Sequence, residues 1–165
     1  MLYKTFKAIN KDAWPDFESA LEEVNECVEE PNICIGIIER DNLVGWVGLR
    51  PMYDVTWELH PMVVKKEAQG KGYGKILLEE LERIAREKGI IGIFAGSDDE
   101  TFSTSLSEKE ITAANIFSEI ANIKNYKNHP YEFYQKCGYC IIGIIPNASG
   151  DKKPDILLWK DIRKS

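Results

Sequence analysis

Apolar positions along the chain switch between a period of two and a period near 3.6, and the switches divide it into elements. Leu2 to Lys7 reads as a first strand. After Trp14-Pro15, the residues Phe17, Ala20, Leu21, Val24 and Val28 recur at helical spacing until Pro31 ends the run. Ile33, Ile35 and Ile37 alternate as a strand, Asp41-Asn42 supplies a turn, and Leu43 to Leu49 returns as the second arm of a hairpin. A further strand is expected from Thr56 to Val64. The clearest helix follows, with Leu77, Leu81, Ile84 and Ala85 on one stripe and Gly89 placed to terminate it. On its outer face Glu79/Arg83 and Glu82/Arg86 stand at i,i+4. Ile90 to Ala95 reads as a buried strand, and a polar loop runs from Ser97 to Leu106. Ser107 and Glu110 have capping-box spacing ahead of Ile111, Ala114, Phe117 and Ile120, which predicts a helix. Pro130 opens a short helix closed by Gly138, and Tyr139 to Ile145 and Ile156 to Lys160 are the last strands.

Strands interleaved with helices in this order exclude all-α and all-β architectures. They predict an α/β class (α+β mixed): a central mixed sheet with helices on its faces. The length of 165 residues suits one domain, 1–165, with a single core.

Charge and cysteine content narrow the functional classes. A net charge of −6 lacks the basic excess that a nucleic-acid partner requires. No apolar run reaches the ~20 residues of a membrane span, which points to a cytoplasmic protein with no membrane partner. Four cysteines, Cys27, Cys34, Cys137 and Cys140, are too few for a disulfide scaffold. Cys137 and Cys140 form a C-x-x-C, but with two histidines in the chain no zinc set can be completed, so no metal is expected.

Candidate chemistry concentrates between Thr56 and Leu81. Alternation along Thr56 to Val64 puts Glu58 and His60 on one face and Trp57 and Leu59 on the other. Pro61 cannot donate to a ladder, so this strand must bulge or part from a neighbour there, leaving backbone groups around Met62 for a ligand. Gln69-Gly70-Lys71-Gly72-Tyr73-Gly74-Lys75 then leads into the strong helix. Three glycines allow close backbone approach, and a helix N-terminus flanked by Lys71 and Lys75 suits a pyrophosphate. The spacing matches neither a Walker loop nor the dinucleotide fingerprint. A glycine turn ahead of a helix is equally often structural.

The coupling of a proline-broken strand to this cradle resembles the GNAT superfamily of N-acetyltransferases, whose acetyl-CoA motif Gln/Arg-x-x-Gly-x-Gly/Ala is matched by Gln69, Gly72 and Gly74. The resemblance implies a GNAT fold, in which the bulged strand splits the sheet, and acetyl-CoA as co-substrate. It assigns Met62, Val63 and Val64 to the pantetheine arm and Gly70 to Lys75 to the pyrophosphate, with the thioester carbonyl near the Met62 amide. Longer stretches are similar to one branch, the aminoglycoside 6'-N-acetyltransferases of the enterococcal chromosomal type. They are Trp57 to Val64, Gly96 to Asp99, Thr104 to Ser107, His129 to Tyr134, and Pro146-Asn147-Ala148 through Lys153 to Ile156. Ser97 stands where the branch usually has Thr and Ser149 where Asn is common, and the segment around Trp14-Pro15 matches weakly.

Each singled-out side chain carries a functional and a structural reading. Glu58 beside His60 can hold a primary ammonium or accept its proton, or be an ordinary strand-face carboxylate. His60 is as readily a hydrogen-bonded structural histidine. Tyr134, by resemblance the acid that protonates the departing CoA thiolate, shares a short helix with Tyr131, Phe133 and Cys137, where aromatics commonly fill a core. Asp98, Asp99 and Glu100 follow a buried strand, at a mouth where open sheets place ligands, and a polycation would relieve their repulsion; the alternative is a solvated acidic turn. Trp14 and Tyr53 are candidates to stack on a sugar.

The expected activity is direct acetyl transfer from acetyl-CoA to the 6' primary amine of an aminoglycoside, an antibiotic-resistance activity, without a covalent acyl-enzyme. The resemblance also implies a homodimer. The alternatives are acetylation of another polyamine-like metabolite or a peptide amine, or CoA or polycation binding without catalysis.

Overall fold

The computed structural model describes residues 17–163. Trp14 and the strand expected over Leu2 to Lys7 lie outside the described residues. The class is mixed α/β, with six strands and flanking helices among the described residues. The chain forms two compact units, one running to Ile93 and resuming at Ile162, the other from Phe94 to Asp161.

In the first unit, α1 (Phe17–Val28) precedes the antiparallel strands β1 (Ile33–Glu39), β2 (Asn42–Pro51) and β3 (Thr56–Val64). Val24 and Cys27 form the buried line of α1, packed with Trp46 and Val63 and bordered by Cys34. The expected stripe through Leu21 and Val28 is displaced, and both are exposed. The reason is that Cys27 takes the inward seat three residues after Val24, which turns those neighbours toward solvent. The β1–β2 turn falls at Arg40 and Asp41, one residue earlier than expected. Both have positive φ (48° and 62°), the backbone of a two-residue hairpin loop.

β2 is the buried strand of the three: Val44, Trp46, Val47 and Leu49 are all 7 % exposed or less. Its pairing with β3 slips between Val47↔Met62 and Leu49↔Leu59, so His60 and Pro61 together oppose Gly48. That is the bulge expected from the proline, since an N–H is missing from the ladder there.

The helix α2 (Tyr73–Glu87) buries Leu77, Leu78, Leu81 and Ala85. It ends as the sequence predicts: Gly89 sits at φ 81° and the Ile90 amide donates back to the Ala85 carbonyl at 3.0 Å. Its surface ion pairs differ from the expected ones. Arg83 binds Glu80 and Glu87, Glu79 binds Lys75, and Arg86 donates to the Ile162 carbonyl. Residues three and four apart are both neighbours on a helix, and spacing alone does not choose between them.

The second unit takes up β4 (Gly92–Asp98) from Phe94 and orders its strands β4-β6-β5, with β5 (Cys140–Ile145) antiparallel to β6 (Asp155–Asp161). The helix expected from Ser107 onward shrinks to α3 (Ile116–Ala121). Ser107 does not cap it, because its hydroxyl donates to Asp99. Asn115 accepts from the Thr112 amide and donates to the Glu110 carbonyl, holding the intervening turn out of helix. After Pro130 comes α4 (Tyr131–Lys136), closed by Gly138 at φ 91°, with the Tyr139 amide donating to the Tyr134 carbonyl. The four cysteines are free thiols. Among the described residues no helix is long and apolar enough to cross a membrane.

Candidate active site

Three groups of side chains carry the candidate chemistry. The first is the connection from β3 to α2. A 3₁₀ turn over Lys66–Ala68 leads to Gln69, whose side-chain amide donates to the Val64 carbonyl at 3.0 Å, tying the loop to the end of the bulged strand. Gly70 and Gly72 take φ of 73° and 86°, and a Cβ built on either meets nothing within 4 Å. These glycines are therefore required by backbone conformation and leave open space above the loop. Gly72 is the N-cap of α2 and offers no capping side chain, so α2 begins without the side-chain acceptor that would occupy its first-turn amides. The positive end of a fifteen-residue helix, exposed Lys71 and exposed Lys75 together favour an anionic group. The Tyr73 hydroxyl donates to Glu39 on β1 at 2.8 Å, which anchors the helix start. Met62, Val63 and Val64 line the end of β3 leading into this loop, with Val63 buried and the other two half-buried.

The second group lies around Glu58. Register places Arg50 directly opposite Glu58 across β2 and β3. The Arg50 Nε donates to Glu58 Oε2 at 2.7 Å, while an Arg50 Nη lies 3.5 Å from Glu26 on α1. His60 Nε2 lies 3.1 Å from Glu23, also on α1. Glu23, Glu26, Cys27, Asn32, Arg50 and His60 line a shallow surface depression. Burial works against the charge on Arg50, but its hydrogen bond to Glu58 and the charges of Glu58, Glu26 and Glu23 outweigh it and raise its pKa. Alternation paired Glu58 with His60 correctly, yet Arg50, Glu23 and Glu26 escaped it. A signal was present in the helical spacing of Glu23 and Glu26 and in the eight-residue hairpin separation of Arg50 and Glu58. Tyr53, at the β2–β3 turn, is 67 % exposed with its amide donating to Thr56. Trp14 lies outside the described residues.

The third group is in the second unit. Tyr134 is 8 % exposed and packs edge-on against Phe133 and Tyr139. Burial, and then the nearby Cys137, push its phenol up to about 12. Tyr134 thus fills a core position, the structural one of its two expected roles.

Asp98 and Asp99 part company. Asp98 is exposed and accepts from the Ser149 hydroxyl at 2.8 Å. Asp99 is fully buried and takes no place at a ligand mouth. Its Oδ1 accepts from the Ser103 amide, and its Oδ2 accepts from the Thr104 amide, the Thr104 hydroxyl and the Ser107 hydroxyl. The picture of three carboxylates awaiting a polycation is corrected accordingly, because four donors already compensate the Asp99 charge. His129, which opens the matched stretch His129 to Tyr134, locks the same region. Its Nδ1 accepts from the Tyr131 amide, so its Nε2 carries the proton and donates to the Asp98 carbonyl at 3.0 Å.

The sequence model of the acetyltransferase (GNAT) family matches residues 1–109, a stretch that includes the bulged strand, the glycine loop and the open helix start. The chain belongs to the GNAT acetyltransferase family. Among solved structures, an aminoglycoside 6'-N-acetyltransferase complexed with coenzyme A superposes on this acetyltransferase with a TM-score of 0.90 at 37 % identity, covering 99 % of this chain and 90 % of that one. The aminoglycoside 6'-N-acetyltransferase from Enterococcus faecium gives 0.88 at 38 % identity with the same coverage. An aminoglycoside 6'-acetyltransferase type Ii gives 0.73 at 31 %, covering 99 % and 92 %. No curated protein matches significantly.

Proposed function

We propose that this GNAT acetyltransferase transfers the acetyl group of acetyl-CoA directly to the 6' primary amine of an aminoglycoside, with residues 1–165 acting as one catalytic domain. The observation that carries the reading is the 37–38 % identity, along nearly the whole chain, to aminoglycoside 6'-N-acetyltransferases. The carboxylate-lined depression beside Glu58 supports a cationic acceptor.

The loop fits the co-substrate: two glycines in left-handed conformation with open space above them, an uncapped helix start and two lysines suit a pyrophosphate. Gln69, Gly70, Lys71, Gly72, Tyr73, Gly74 and Lys75 would hold that end, and Met62, Val63 and Val64 the pantetheine arm. When bound, acetyl-CoA supplies an acyl thioester: an N–C bond forms, the C–S bond breaks, and the sulfur leaves as the thiol.

The chain's own residues handle protons and position. Glu58 holds the acceptor ammonium and takes its proton, directly or through water, so that a neutral amine attacks. His60, held by Glu23, lines the same depression and orients the acceptor. Tyr134 remains protonated at neutral pH and supplies the proton that the departing sulfur needs. Tyr53, Asp98 and Trp14 are each assigned to acceptor binding in this reading, by the resemblance and the acidic character of the loop after β4. The enzyme works as a homodimer in the cytoplasm, and modification of an antibiotic amine gives resistance.

Thiol release from acetyl-CoA, followed against kanamycin, a 6'-hydroxylated analogue and spermidine, tests the assignment. Turnover with kanamycin and none with the 6'-hydroxyl analogue is expected; equal or better turnover with spermidine overturns it in favour of a polyamine acetyltransferase. Glu58→Gln and Tyr134→Phe should each lower kcat/KM by roughly 10²-fold or more, as loss of a general base or acid does. Coenzyme A affinity by calorimetry should be unchanged. Full turnover in either variant removes that residue from the mechanism.

A further inference from the structure

The feature that the family motif does not explain is a cation standing inside the acidic depression. Arg50 is about one-third exposed, with 34 % of its side chain accessible, and Glu58 is more enclosed at 24 %. The guanidinium bridges Glu58 on the neighbouring strand and Glu26 on the packed helix, at 2.7 and 3.5 Å. Glu23 faces the same space through His60. Among the charged and titratable groups lining this place are Glu23, Glu26 and Cys27 from α1, Arg50 from β2 and His60 from β3.

We propose that Arg50 sets the charge selectivity of the acceptor pocket. Its guanidinium fills the position between Glu26 and Glu58 that an acceptor ammonium would otherwise neutralise, so the pocket demands one positive charge fewer than its three glutamates alone would. A second ammonium on the acceptor meets Arg50 as a like charge, and a hydroxyl at that place is tolerated. The inference rests on the reading of Glu58 as an acceptor contact. Arg50 acts through Glu58 and Glu26, as a positioning and specificity residue, and takes no part in bond making.

The physical reason is the low worth of a single charge in water and its higher worth in a half-enclosed cleft. Carboxylates sharing a site repel one another, and whichever cation lies between them relieves that repulsion. A resident cation at short distance removes much of the gain that a ligand cation would obtain there.

The test compares kcat/KM for kanamycin, which carries several ammonium groups, with that for 6-amino-6-deoxyglucose, which carries one. Arg50→Met keeps the length of the stem and removes the charge. It should raise the kanamycin-to-monoamine ratio about five-fold, the scale of one partly exposed ion pair, and the gain should fade at high salt. Arg50→Lys keeps the charge and should leave the ratio near that of the unaltered enzyme. Glu26→Gln leaves Arg50 in relative excess and should lower the ratio, which gives a second reading should Arg50→Met fold poorly. A merely structural Arg50 would lower both rates together. An unchanged or lowered ratio in folded Arg50→Met overturns the proposal, as does an unchanged ratio in Glu26→Gln. Failure of the parent reading looks different: Glu58→Gln would then retain full turnover with both acceptors, or the unaltered enzyme would acetylate neither, and the inference would fall with it.

Discussion

Asp99→Asn changes one atom of a fully buried side chain, so it isolates what the carboxylate contributes to the loop after β4. Oδ1 accepts one hydrogen bond, from the Ser103 amide at 2.6 Å; Oδ2 accepts three, from the Thr104 amide, the Thr104 hydroxyl and the Ser107 hydroxyl at 2.9, 2.8 and 2.6 Å. The better asparagine orientation keeps its oxygen at the three-donor side and turns its NH₂ against the Ser103 amide. One buried donor is then unpaired, at about 1–3 kcal/mol. The other three bonds lose their charge assistance, which roughly doubles the strength of such bonds. A total near 3 kcal/mol is expected, which for a chain of this size lowers Tm by about 6–12 °C.

The pH dependence carries its own signature. Burial pushes the Asp99 carboxyl up, but the Ser107 hydroxyl, the Ser103 amide and both Thr104 donors outweigh it and hold the carboxyl below its ordinary value of 3.8. A folded value below the unfolded one contributes stability that is present above the unfolded value. That contribution is lost as pH falls through the folded one. Thermal unfolding followed by circular dichroism, run on both proteins from neutral to acid pH, should therefore show a gap that narrows below about pH 4. Equal Tm values at neutral pH, or a gap independent of pH, would refute the assignment of Asp99 as an ionised organiser of the loop.

Two glycines give further tests. A Cβ at Gly48 would run into the Cys27 sulfur and the His60 carbonyl oxygen, and the oxygen belongs to backbone that cannot step aside. Gly48→Ala should cost about 3 kcal/mol, the upper part of the range for overpacking, read as a lower midpoint in urea; a midpoint equal to that of the unaltered protein would show that the bulge yields freely. Gly72→Ala meets no atom within 4 Å but must hold φ at 86°. It should cost about 1–2 kcal/mol of local strain and raise KM for acetyl-CoA while leaving KM for the amine unchanged. A rise confined to the amine would separate Gly72 from the nucleotide loop.

The elements that the sequence states well are those whose signal is local. Gly89 and Gly138 end their helices because only a residue tolerant of positive φ closes those turns, and Pro61 breaks its ladder because it has no N–H to give. The expected helix after Ser107 failed for the opposite reason. The capping-box spacing was real, but a buried aspartate eight residues earlier offered the serine hydroxyl a stronger, charged acceptor. Asp99 itself was misplaced on the same account, since adjacent acidic letters do not say which one turns inward.

By itself, the sequence determined the mixed α/β class, the break in β3 near Pro61, and the glycine-rich loop ahead of α2. Each follows from the covalent chemistry of one or a few consecutive residues. Only the tertiary structure decided that Arg50 stands between Glu26 and Glu58, that Asp99 is enclosed by donors, and that Tyr134 is buried, which raises its phenol above the ordinary value. Those facts depend on which distant surfaces meet, and the charge a group carries in a fold is set by the neighbours it acquires and the water it loses.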